Sequence, residues 1–154
     1  MSVMTIYQYT QRLRAFEYAK SLVKDKGIVN LGAVGDGASG LDKIFITPLS
    51  NDTKVSMNVD IQTGVANLLV FDLNNKLPFE HKQFDVTFAS HVLEHLDNWQ
   101  FSLNEFSRVA DNVVLVLPNP LDIVTWVHPN HKHPFSFSEI QKIQRDYGNV
   151  KIFV

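Results

Sequence analysis

The sequence predicts an α/β domain built on a doubly wound, mostly parallel sheet, and three observations predict it. Short, nearly continuous apolar runs such as Ile28–Leu31, Asn67–Phe71 and Val113–Leu117 read as strands buried on both faces. Helical patterns separate several of these runs. The runs at Val55–Asp60, Asn67–Phe71 and Phe84–Ser90 end at or beside polar groups, where open parallel sheets bind ligands.

Each element follows from its local pattern. Thr5–Lys26 carries Ile6, Tyr9, Leu13, Phe16, Leu22 and Val23 near helical spacing, predicting a helix that closes at Gly27 as its C′ residue. Ile28–Leu31 is the first strand, followed by a glycine-rich turn from Gly32 to Gly40. Phe45–Asn51 is irregular, broken by Pro48. Val55–Asp60 and Asn67–Phe71 are the second and third strands, each closed by an acid, Asp60 and Asp72. Phe84–Ser90 is the fourth. Asn98–Val109 is an amphipathic helix with Trp99, Leu103, Phe106 and Val109 on one side. Val113–Leu117 is the fifth strand, closed by Pro118 and Pro120. Pro134–Tyr147 opens in turn chemistry and becomes a helix, and Val150–Val154 is a last strand. The expected organisation is one domain over residues 1–154, with an N-terminal helix in 1–26 and the sheet core in 27–154.

Composition narrows the function. The 154 residues are 45% hydrophobic and 19% charged, with a net charge of −2. No global basic field recruits nucleic acid or an anionic membrane, and no basic stripe with interleaved aromatics stands out. The absence of cysteine excludes disulfides, thiolate catalysis and cysteine-ligated metals. No apolar run spans a bilayer, and Arg12 and Arg14 precede no signal-peptide core. These features set the expectation of a cytoplasmic protein that binds neither membrane nor nucleic acid.

The glycine turn, Leu31-Gly32-Ala33-Val34-Gly35-Asp36-Gly37, lies where such sheets contact a nucleotide-like cofactor. It lacks the GxGxxG phosphate fingerprint, which argues against a nicotinamide enzyme. Asp60 ends the next strand, where a carboxylate accepts hydrogen bonds from ribose hydroxyls, and Asp72 ends the third.

Several words of the second half carry a resemblance: Phe71-Asp72-Leu73, Leu77-Pro78-Phe79, Phe84-Asp85, Ala89-Ser90-His91, Leu93-Glu94-His95-Leu96, Glu105–Val109 and His131–Ser136. With the glycine turn they resemble a class I S-adenosylmethionine-dependent methyltransferase, a Rossmann-like fold, over about residues 28–140. The resemblance implies S-adenosylmethionine as cofactor. Its methionine and ribose part would lie along Asn30, Gly32 and Gly35, and its ribose hydroxyls on Asp60. Asp72 would face the adenine amine, with Leu73 on the ring. Ser90 and His91 would border the donor methyl. His91 and His131 are the candidates for base or substrate-orienting group, and Trp126 for the acceptor pocket. The implied acceptor is a small molecule or a glycan.

Three departures from the family pattern favour an alternative, a catalytically inactive binding or assembly module. Asn30 stands where the family carries an acid, and the glycine loop holds one extra residue. The family also closes on a pair of antiparallel strands, for which too few residues follow the last helix. The edge beside strand five then predicts a homo-oligomer.

His91-Val92-Leu93-Glu94-His95 also fits the H-x-x-E-H string of zinc peptidases, and His128, His131 and His133 are spaced like ligands. A peptidase needs a long helix through its motif, whereas a strand ends at Ser90. No metal is therefore expected.

Overall fold

The computed structural model describes residues 3–33 and 49–154, with side chains from residue 6 onward. The expected glycine loop beyond Ala33, including Gly35, and the irregular segment up to Pro48 lie outside the described residues. Helix α1 (Val3–Ser21) leads into strand β1 (Ile28–Leu31), followed by β2 (Val55–Asp60), β3 (Leu68–Val70) and β4 (Phe84–Ser90). A 3₁₀ turn (Leu93–His95), α2 (Trp99–Val109), β5 (Ala110–Val116), α3 (Ile123–Val127), α4 (Phe137–Asp146) and β6 (Val150–Phe153) complete the chain.

The six strands form one sheet in the order β3-β2-β1-β4-β5-β6, and every pairing is parallel. The α/β, doubly wound, Rossmann-like architecture expected from the apolar runs is therefore present. Alternation along each strand divides the core between the two faces. Val29, Leu31, Val113 and Leu115 face α2 and α4, packing with Leu103, Phe106, Ile140 and Ile143. Ile28, Val86, Phe88, Val114 and Val116 face α1, packing with Ala15, Phe16 and Ala19. Phe16 sets its ring edge-on to Phe88, with centroids 5.2 Å apart.

Local chemistry sets the helix ends. Asn98 accepts from the Phe101 N–H at the start of α2. Ser136 and Glu139 form a reciprocal capping box on α4.

Three elements differ from expectation. Helix α1 stops at Ser21, and Gly27 turns at φ +76° at the entrance to β1 rather than closing the helix. Asp85 organises that turn, accepting from the backbone N–H groups of Lys24, Lys26 and Gly27 at 2.7–3.0 Å. Burial opposes the Asp85 charge, but these donors outweigh it and hold the carboxyl below the usual aspartate range. Strand β5 starts at Ala110, directly after α2. Finally, β6 is not half of an antiparallel pair. It lies parallel to β5, matching Val113 with Val150 and Val116 with Phe153, because helical segments cross over between them and return the chain in the same direction.

The strand order reverses between β1 and β4, so a crevice opens at their carboxyl ends. No helix among the described residues is long and apolar enough to cross a membrane.

Candidate active site

The crevice is a cavity of about 490 Å³ lined by strand ends, the 3₁₀ turn, α1 and the α3 region. One half is built by β1, β2 and the segment after β3. Asn30 is buried, and its Nδ2 donates to Asn58 Oδ1 at 3.0 Å and Ser50 Oγ at 3.4 Å. Gly32 turns at φ +69°, and a Cβ there would lie 2.4 Å from Val92 Cγ2. The absent side chain is thus needed for the turn and for Val92, whatever the ligand. Asp60 is buried at the end of β2, and its Oδ1 accepts from the Gln62 N–H at 3.0 Å. Asp72 is exposed and closes a local turn on the Asn74 N–H at 2.9 Å. Leu73 is buried beside it.

The other half begins where β4 ends. Ser90 Oγ accepts from Arg12 Nε at 2.9 Å. His91 follows at φ +54°, a left-handed conformation uncommon outside glycine, while its N–H stays tied to the Val116 carbonyl at 2.9 Å. The turn that results aims Glu94 inward. Glu94 is fully buried, and neither carboxylate oxygen has a hydrogen-bond partner among the described residues. Ring nitrogens approach Oε1 without reaching bonding distance: His91 Nδ1 at 3.6 Å and His95 Nε2 at 3.7 Å.

His131 completes this half. Its Nδ1 donates to the Thr125 carbonyl at 2.8 Å, since a carbonyl only accepts, and Nε2 keeps its lone pair when the ring is neutral. Burial pushes the His131 imidazole below its ordinary range, favouring that neutral form. His128 stacks on it with centroids 4.4 Å apart.

The structure brings Asn30, Gly32, Asp60, Asp72, Leu73, Ser90, His91 and His131 to the walls of this one cavity. Trp126 is not among its lining residues: its indole donates to the Pro120 carbonyl at 2.9 Å, while Val124 and Thr125 of α3 line the cavity. His133 also stands apart from His128 and His131, facing Glu139 at 3.0 Å. Sequence reasoning missed Gln8 and Arg12 of α1, which close one side. Their alignment with the sheet ends depends on how α1 packs, and the local pattern carries no signal for that.

The groups at these strand ends differ in what they can contact. Two carboxylates at neighbouring strand ends suit hydroxyls and an amine, Leu73 offers an apolar face, and Asn30 offers a neutral group in place of an acid.

Known proteins share this fold. Residues 47–114 match the family model of a methyltransferase domain. Among solved structures, a SAM-dependent methyltransferase from Thermotoga maritima superposes with a TM-score of 0.60 at 16% identity, covering 91% of this chain and 72% of that one. A chain from the Haloferax volcanii complex between the Trm112 methyltransferase activator and a methyltransferase gives 0.64 at 16% identity, covering 93% and 69%. The YcgJ protein of Bacillus subtilis gives 0.59 at 17% identity, covering 89% and 67%. No curated protein sequence matches the chain significantly.

Proposed function

We infer, from a chain whose family and fold match is to the class I S-adenosylmethionine-dependent methyltransferases, that this protein transfers a methyl group to a small-molecule or glycan-type acceptor. The observation that carries this reading is one cavity in which Asp60 and Asp72 stand at one end and His91 and His131 at the other. When bound, S-adenosylmethionine supplies an electrophilic methyl group on its sulfonium.

The chain's own residues then have separable tasks. Asp60 would accept from the ribose hydroxyls, and Asp72 would face the adenine amine with Leu73 against the ring. Asn30 and Gly32 would line the methionine end. Ser90 and His91 would border the methyl. Because displacement at a sulfonium needs mainly proximity and alignment, His91 and His131 would orient the acceptor and take its proton where it has one to lose.

One observation favours the second reading, an inactive binding module. Asn30 directs its amide to Asn58 and Ser50, so this residue itself offers no charge to the amino group of a bound methionine moiety. Incubation with S-adenosylmethionine and a panel of hydroxylated, amine and glycan acceptors tests the two. Release of S-adenosylhomocysteine with one acceptor class, lost in His91→Ala, supports the enzyme; folded protein that binds the cofactor weakly or not at all supports the module.

We further propose that the protein is a cytoplasmic homo-oligomer and that its acceptor is not a nucleic acid. The edge strands β3 and β6 and the exposed apolar run of Leu121, Ile123, Val124 and Val127 support self-association. A monomeric mass by light scattering at micromolar concentration would contradict it.

A further inference from the structure

The acceptor half of the cavity contains a polar arrangement that methyl transfer alone does not require. Glu94 has no accessible surface, and both its oxygens lack hydrogen-bond donors among the described residues. A carboxylate so placed is costly unless a cation accompanies it. The potential ligand atoms of Glu94, His95 and His131 all lie within 4.8 Å of one another.

The ring nitrogens are already oriented. His95 Nδ1 meets the Asn130 carbonyl at 2.7 Å, and His131 Nδ1 meets the Thr125 carbonyl at 2.8 Å. Both Nδ1 atoms must be donors, so both neutral rings keep the lone pair on Nε2. A backbone carbonyl fixing one nitrogen while the other binds is the usual outer support of a metal-ligating histidine. Main-chain bonds hold the two segments in place: the N–H groups of Lys132 and His133 donate to the Glu94 carbonyl at 2.8 and 3.0 Å.

We propose that Glu94, His95 and His131 hold a divalent first-row transition-metal ion whose remaining coordination positions open into the cavity. Two imidazoles and one carboxylate suit zinc, manganese, cobalt or iron; magnesium and calcium prefer oxygen donors and would bind more weakly. An ion about 2.0–2.2 Å from each donor requires the three groups to draw together from their present spacing. The His95 Nε2 to Glu94 Oε1 distance of 3.7 Å leaves little of that movement to this pair. The 3₁₀ turn places the donors off any long helix, unlike the arrangement of a zinc peptidase.

His91 Nδ1 lies 3.6 Å from Glu94 Oε1, so an acceptor oxygen taken by the ion would be held close to His91. This use rests on the transferase reading, whereas binding of the ion does not. The acceptor it implies carries a hydroxyl or a similar oxygen ligand.

The purified chain, stripped with a chelator, is titrated with zinc, manganese and cobalt by calorimetry, and the cobalt form is followed by visible absorption. The proposal expects one ion per chain and a cobalt spectrum of nitrogen and oxygen ligation. It expects affinity to fall by about tenfold or more in Glu94→Gln and His131→Ala, and to be unchanged in His133→Ala. Circular dichroism verifies the fold of each variant. If Glu94→Gln does not fold, His131→Ala and the wild-type cobalt spectrum decide. No uptake by wild-type protein, or uptake unchanged in folded Glu94→Gln and His131→Ala, overturns the site. A parallel S-adenosylmethionine titration separates the two readings: metal uptake without cofactor binding keeps the site and removes the transferase, and the reverse removes only the site.

Discussion

Arg12 of α1 donates from Nε to Ser90 Oγ at 2.9 Å, joining the N-terminal helix to the tip of β4 across the cavity. The two residues are far apart in sequence, yet they close one side of the proposed cofactor site together. Arg12→Ala should remove about 1–2 kcal/mol of charge-assisted hydrogen bonding and release Ser90. Calorimetry should then show S-adenosylmethionine binding weakened several-fold, with only a small fall in melting temperature.

Gly32 tests the turn after β1. Alanine there must adopt φ +69° and place its Cβ 2.4 Å from Val92 Cγ2. Left-handed backbone costs about 1–2 kcal/mol, and overpacking about 1–3 kcal/mol. Gly32→Ala should therefore lower stability by about 2–5 kcal/mol in urea unfolding. Adding Val92→Ala to that variant should relieve the clash but not the backbone strain, so recovery is partial.

Asp85 links stability to pH. Its folded-state pKa lies below the unfolded value of ~3.9, so its contribution is present above that value. It is lost as pH falls through the lower folded pKa. Asp85→Asn should be less stable than wild type at neutral pH, and the gap should narrow steadily below about pH 4. Urea unfolding across pH 2.5–7, about the range over which such a group titrates, measures this directly.

Arg108 pins the segment before β4 onto α2. It pairs with Glu105 at 2.8 Å and donates to the carbonyls of Phe79 and Leu77, while Glu105 also accepts from the Leu77 N–H at 2.9 Å. Lysine keeps the charge but not the planar fork. Arg108→Lys should cost about 1–3 kcal/mol in the same unfolding assay.

Much of the sheet was legible because strands buried on both faces are apolar throughout. Ile28–Leu31, Val55–Asp60 and Phe84–Ser90 have the expected bounds. The pairing of β6 was not legible: direction depends on the crossover through α4, not on the residues Val150–Phe153. The anchoring role of Arg108 was not legible either, because its carbonyl partners lie about 30 residues earlier in the chain. The ligand-like spacing of His128, His131 and His133 does not bring all three together, since His133 turns to Glu139. The HVLEH word supplies His91, Val92, Glu94 and His95 to the cavity wall. That Glu94 is buried with no hydrogen-bond donor among the described residues depends on the 3₁₀ turn and the segment stapled to it, which no local pattern encodes.

The most direct measurement is calorimetric titration of the purified chain with S-adenosylmethionine and S-adenosylhomocysteine, repeated on Asp60→Ala. The account predicts micromolar binding by wild type that weakens by about tenfold or more in the variant, roughly 1.4 kcal/mol or above. Well-folded wild-type protein that binds neither ligand at millimolar concentration would contradict it.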